Sequence, residues 1–164
     1  MSLRLGAPTP LLPSHSLDGF SCGEAMLDHW LQQRAMANQL TGASRSFVVT
    51  DAQLRVYGYY ALAAGAVTHQ AASSAVRRNM PDPIPVMVLG RLAVDQRAQG
   101  MRLGGAMLQD AVNRAVMLAS HAGVRALLVH ALHEDAKAFY THYGFQESPQ
   151  HPLTLMLRLP VHKP

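Results

Sequence analysis

Seven residues in the second half of the chain have the make-up of an anion cradle: Gln99, Gly100, Met101, Arg102, Leu103, Gly104 and Gly105. Before them runs an apolar stretch, Val86 to Val94, that reads as a strand. After them Met107, Leu108, Ala111, Val112, Ala115 and Val116 recur at helical spacing, which predicts a helix from about Leu103 to Ser120. The first turn of a helix offers N–H groups without intrahelical partners and a partial positive charge, and glycine lets a phosphate come close to that backbone. Two familiar cradles do not fit. A Walker loop needs Gly-Lys-Ser/Thr, and a dinucleotide fingerprint needs Gly-x-Gly-x-x-Gly with an acid about twenty residues on.

A second group with chemical content is Phe139-Tyr140-Thr141-His142-Tyr143-Gly144-Phe145. A phenol ionises near pH 10 and a thiol near 8–9, so a tyrosine can hand a proton to a departing thiolate at little cost. The same rings would also serve to pack a helix onto a sheet, and periodicity does not separate the two roles. Asp95 and Glu134 lie near strand ends, where turn or helix-start duty explains them as well as catalysis does.

The remaining composition narrows the setting. A chain of 164 residues with 49% apolar side chains is the size of one domain and can bury a core. Charged residues are 15%, a low share that favours an apolar interface. Twelve of the 14 basic residues are arginine, whose guanidinium grips phosphate with two parallel hydrogen bonds. The single cysteine, Cys22, rules out an intrachain disulfide and a cysteine-based zinc site, and the nine histidines show no metal spacing. No metal is therefore expected. No start resembles a signal peptide, and the apolar stretch Tyr57 to Val67 is too short to cross a bilayer, so a cytoplasmic protein away from membranes is expected.

The elements needed to hold these groups can be read in order. A Pro-rich start leads into an edge strand. Ser21-Cys22-Gly23-Glu24 has the form of a capping box ahead of a helix from about Glu24 to Asn38, with Met26, Leu27, Trp30 and Leu31 as its buried stripe. Thr41 to Ser44 reads as a turn, then strands at Ser46–Thr50 and Arg55–Leu62 form a hairpin. A long connection, Thr68 to Pro85, is kept extended by Pro81, Pro83 and Pro85. Val124–Ala131 reads as a strand covered on both faces, Glu134 to about His142 as a helix, and Thr154–Leu159 as the last strand. The order β-α-β-β-β-α-β-α-β implies an α/β fold: one domain over residues 1–164, a mixed central sheet flanked by helices, with a parallel strand–helix–strand unit at the cradle.

The cradle resembles the Gln/Arg-x-x-Gly-x-Gly/Ala signature of GNAT acetyltransferases, and the Phe139 to Phe145 run resembles their Phe-Tyr-x-x-x-Gly-Phe element. Arg102 departs from the pattern, standing where the family carries its first motif glycine. If this residue takes positive φ, the exchange costs about a kcal/mol or more. Its guanidinium could instead lie beside a cofactor phosphate. Further blocks are similar to the GNAT toxins of bacterial toxin–antitoxin pairs. These are Ser21-Cys22-Gly23 leading to Trp30-Leu31, Gly42 to Val49, Tyr59-Tyr60-Ala61-Leu62, Arg77-Arg78-Asn79-Met80-Pro81-Asp82-Pro83-Ile84-Pro85, Leu89 to Asp95, and Val129-His130-Ala131-Leu132.

That resemblance implies acetyl-CoA as co-substrate and the α-amino group of aminoacyl-tRNA as acceptor, with translation blocked as the result. It implies Tyr140 as the acid for the CoA thiolate. It places the pantetheine arm along Leu92, Ala93 and Val94 and the phosphates in Gln99 to Gly105, with Phe139 beside the cofactor. A tRNA calls for a basic surface, for which Arg77 and Arg78 are the first choices and Arg34 and Arg91 further ones. His130 faces either the cleft or the core, the core being favoured. A homodimer and a ribbon-helix-helix antitoxin follow from the resemblance alone. Two other readings stay open at this level: a GNAT enzyme acting on a small amine or a protein amino group, and a binding module whose cofactor site Arg102 has impaired.

Overall fold

A computed structural model describes residues 3–160. Strands are β1 (Thr9–Pro10), β2 (Arg45–Thr50), β3 (Val56–Val67), β4 (Ile84–Val94), β5 (Ala126–His130), β6 (Gln146–Glu147) and β7 (Thr154–Arg158). Helices are α1 (Ala25–Gln33), α2 (Ala35–Thr41), α3 (Ser74–Arg77), α4 (Leu103–Ala119) and α5 (Glu134–His142). The strands form one mixed sheet in the order β1-β2-β3-β4-β5-β7-β6, with β4 and β5 parallel. Main-chain proximity resolves two compact units: residues up to Ala63 with Gly90–Ala111, and Ala64–Leu89 with the residues from Val112 onward.

In the first unit, Leu11, Phe20, Leu31, Val48, Val56, Tyr59 and Ala93 form the core, and Leu27 and Trp30 pack against it. Each fully buried large aliphatic side chain contributes about 1.5–3 kcal/mol. Tyr59 is central: its hydroxyl donates to the Leu27 carbonyl at 2.6 Å, Trp30 stacks on it at 6.0 Å, and Phe20 meets it edge-on. The predicted single helix over Glu24–Asn38 is two helices, broken at Arg34 where φ is −123°. The second half ends on Gly42, whose left-handed φ of 81° makes it the C-cap of α2.

The capping box is not formed. Glu24 is the N-cap and makes no side-chain cap. The Ser21 N–H goes instead to Asp95 Oδ2 and the Cys22 N–H to Asp28 Oδ1, at 3.0 and 2.9 Å. Met26, expected in the buried stripe, is 68% exposed, because α1 rests on the sheet through Leu27, Trp30 and Leu31 only.

In the second unit Val76, Ile84, Val86, Ala126, Leu128 and Met156 make the core. Strand β5 is buried except at His130, as its unbroken apolar run predicts. The proline-bearing connection contains one helical turn, α3, ahead of the prolines. Arg125 ties it down through bonds to the carbonyls of Ala75, Val76 and Arg78. Helix α5 opens at His133, whose ring accepts the Ala136 N–H, with Glu134 and Asp135 in its first turn.

Candidate active site

Strand β4 leads into the cradle through Asp95, a side chain 1% exposed. Its carboxylate accepts from the backbone of Ser21 and Arg97, and from Arg97 Nε and Nη2 at 2.8 and 3.0 Å. Burial pushes the Asp95 pKa up, but the bonds from Arg97 and from both backbone N–H groups outweigh it and hold the carboxyl below its ordinary value. This is an ionised structural group, not a poised base. Gln99 is also a tie: its amide donates to the carbonyls of Cys22 and Val94, each at 3.1 Å.

Past Gln99 the chain turns at Gly100, with φ 86°, and again at Arg102, with φ 60°. Arg102 therefore holds the left-handed backbone that the glycine pattern calls for, and its side chain is exposed. The backbone N–H groups of Gly100 and of Arg102 to Gly105 take no acceptor among the described residues, while that of Met101 closes the turn at Gln99–Gly100. A Cβ built on Gly100 meets nothing within 4 Å, so the face of the turn is open. A row of free N–H groups ending at the head of a 17-residue helix fits a pyrophosphate.

The strand before the cradle has a matching feature. β4 pairs with β5 over Val86–Leu89 only. From Gly90 to Val94 that edge carries no strand, leaving backbone groups for an extended ligand arm to pair with. Leu92 and Val94 are half-buried and Ala93 is buried.

Tyr140 lies on α5 with its ring buried among Phe139 and Phe145, at centroid distances of 5.2 and 5.5 Å. Phe139 is half-buried and also touches Tyr143. Burial pushes the Tyr140 phenol up to about 12. The hydroxyl has no hydrogen-bond partner among the described residues. It is neutral at every physiological pH and always carries its proton. His130 is exposed and bonds Thr154 Oγ1 through Nδ1 at 3.0 Å, so the expectation that it enters the core is corrected: it stands at the open end of β5.

Among the arginines, Arg77 and Arg78 are exposed at the end of α3. Arg77 reaches only the His69 carbonyl, at 3.3 Å. Neither pairs with Asp82, whose carboxylate accepts from the His69 N–H. Burial, then the charges of Arg158 and Arg78, lower the Arg125 pKa, so these three guanidiniums share one positive field. Arg91 places its guanidinium 4.3 Å over the Trp30 ring. Arg34 is exposed at the α1–α2 break. Among the described residues no group of three or more His, Cys, Asp or Glu side chains is placed to hold a metal.

Residues 42–147 match the family model described as the acetyltransferase (GNAT) domain. The chain belongs to the GNAT acetyltransferase family. A relative from Mycobacterium tuberculosis (strain ATCC 25618 / H37Rv), named a tRNA-acetylating toxin, is 52% identical over 92% of this chain and 90% of its own. Among solved structures, AtaT complexed with acetyl-methionyl-tRNAfMet superposes with a TM-score of 0.87 at 26% identity, covering 94% of this chain and 95% of that one. A tyrosine-to-phenylalanine mutant of AtaT, bound to the C-terminus of the antitoxin AtaR and acetyl-CoA, gives 0.79 at 25% identity over 94% and 93%.

Sequence reasoning missed three supports of this acetyltransferase. The sequence leaves Asp95 open between turn and catalytic duty, and only the buried bonds decide it. Gln99 was read as part of the cofactor loop, and its amide serves the loop's anchoring. The Trp30–Arg91 contact joins residues too far apart in the chain for any spacing rule to find.

Proposed function

We propose that this acetyltransferase moves the acetyl group of acetyl-CoA onto the α-amino group of an aminoacyl-tRNA, as a toxin that blocks translation. The cradle carries the cofactor half of the reading: free N–H groups at Gly100 and from Arg102 to Gly105 on an open turn at the head of α4. The acceptor half is supported by the likeness to the tRNA-acetylating toxin over most of both chains.

Gln99 to Gly105 would hold the phosphates and the free edge at Leu92, Ala93 and Val94 the pantetheine arm, where a strand N–H can meet the thioester oxygen as charge builds. An α-amine has a pKa near 8, and an esterified carboxyl lowers it further, so much of the acceptor is neutral at pH 7 and needs no strong base. The amine nitrogen attacks the thioester carbon, the N–C bond forms and the C–S bond breaks. Tyr140 donates its hydroxyl proton towards the departing sulfur. With the phenol at about 12 rather than 10, the donated hydrogen bond carries more of the effect than free transfer does. Tyr140 recovers its proton from the one the amine releases, so the net change moves one proton from nitrogen to sulfur.

Arg77 and Arg78, the latter in the field shared with Arg125 and Arg158, would meet tRNA phosphates, with Arg34 and Arg91 as a second contact. A homodimer, a ribbon-helix-helix antitoxin and a cytoplasmic location complete the reading. No described helix is long and apolar enough to cross a membrane.

The test is transfer of radiolabelled acetyl from acetyl-CoA to a pool of charged tRNA. Label on aminoacyl-tRNA that is lost in Tyr140→Phe is the expected result. Label on a small amine or protein instead would discard the acceptor, and a folded protein that turns over with no acceptor would discard the enzyme. Reversing charge in Arg77→Glu/Arg78→Glu should weaken tRNA acetylation and flatten its salt dependence.

A further inference from the structure

The first unit carries an open pocket of about 560 Å³ lined by Ala25, Met26, His29, Trp30, Arg34 and Arg91. Its chemistry is unusual for a surface hollow. Trp30 lines it and lies nearly parallel to the buried Tyr59, 8° apart, and the Arg91 guanidinium lies 4.3 Å from the centre of the indole. Arg91 is half-buried, held by Trp30, and makes no ion pair among the described residues. Arg34 and His29 are exposed at the rim, and Met26 adds apolar surface that α1 does not bury. No carboxylate lines the hollow. Two acids adjoin the lining residues in sequence: Asp28 accepts the Cys22 N–H, and Glu24 is the N-cap residue of α1.

A planar cation laid over an indole, with a second guanidinium lining the same hollow, suits a ligand that pairs a flat ring with phosphate. Unpaired nucleotides offer that combination; arginine planes stack on splayed bases while neighbouring arginines take the backbone. A duplex does not, because its bases are already stacked. An acidic peptide would satisfy the charges but leave the stack and the Met26 surface unused.

We infer that this pocket seats the unpaired 3′-terminal nucleotides of the RNA substrate, one base lying against Arg91 and the adjoining phosphate meeting Arg34. This rests on the aminoacyl-tRNA reading and gives Arg91 a part that phosphate attraction alone does not: recognition of a base by its face.

The chain has one tryptophan, and it lies under the pocket, so its fluorescence reports occupancy without a label. Uncharged tRNA with an intact 3′ end should change Trp30 emission, and the same tRNA lacking its last three nucleotides should not. Arg91→Lys keeps the charge and loses the plane. It should raise KM for charged tRNA by roughly 5- to 150-fold, the span expected for losing one stacked base, with KM for acetyl-CoA unchanged. A signal indifferent to truncation overturns the inference, and if label still reaches charged tRNA the acetyltransfer reading stands. A truncation-sensitive signal without label on any charged tRNA keeps the pocket and discards that reading. A signal that requires the attached amino acid would assign the pocket to the aminoacyl group. Emission that shifts with protein concentration alone would assign it to a second copy of the chain. Both overturn the nucleotide.

Discussion

The cradle before α4 and the tyrosine on α5, in the roles proposed for them, would work by opposite means. The cradle presents backbone, and Arg102 stands in a glycine's place while keeping a glycine's φ of 60°. Helix α5 presents one oxygen atom, on a ring held by Phe139 and Phe145. A site made of N–H groups tolerates side-chain change so long as the turn survives; a site made of one hydroxyl does not.

Substitutions can sharpen or break that contrast. The largest effect is expected for Tyr140→Phe, which removes the oxygen and leaves the packing: kcat should fall about 10²–10⁴-fold with KM for acetyl-CoA unchanged. A small loss would reduce the tyrosine to a packing residue. With the phenol at about 12, parent activity should show no loss from this group as pH rises to about 11, and rate profiles of parent and variant would reveal one.

Next comes Asp95→Asn, which attacks the cradle through its support. Removing a buried charge that accepts several hydrogen bonds should cost about 2–3 kcal/mol at pH 7, measured by denaturant unfolding. The folded pKa is depressed, so this stabilisation is present above the unfolded value near 4 and is lost as pH falls through the folded one. Parent and variant should therefore converge in stability in that acid range.

Gly100→Ala forces a Cβ onto a φ of 86° and should cost about 1–2 kcal/mol while raising KM for acetyl-CoA, although the space itself is open. Arg102→Gly is the mildest. Relief of left-handed strain, about 1–2 kcal/mol, is offset by the roughly 0.5–1 kcal/mol of freedom glycine adds to the unfolded chain. Stability should rise by about 0–1.5 kcal/mol, and KM for acetyl-CoA should stay put. A tenfold rise in KM would show that the guanidinium, rather than the backbone, grips the phosphate, and the contrast between the two regions would fail.

Where side chains repeat at a fixed period, the sequence was a sound guide. The apolar runs of β4 and β5, the stripe of α4 and the charged start of α5 each appear within a few residues of where pattern places them. The failures share a cause, which is competition from residues distant in the chain. Ser21 and Glu24 looked like a capping box, but Asp95 takes the Ser21 N–H. Nothing in the residues around Arg34 signals a break. Helix α3 is a single turn, too short for periodicity, and Arg125 secures it from fifty residues away. Strand β6 has two residues and exists through its pairing with β7. In the site, the motif raises a positive φ at Arg102 only as a condition, which the structure meets, whereas the Trp30–Arg91 pair and the anchoring by Gln99 depend on the folded arrangement alone.

The bond from Ser21 to Asp95 spans 74 positions. During synthesis at about 5–20 residues per second, Ser21 waits some 4–15 s before its partner is even made. The turn proposed to hold the cofactor phosphates thus closes only with a late, long-range stitch. A ribosome making this chain holds a nascent product without a finished cofactor loop for most of the time it takes to translate it.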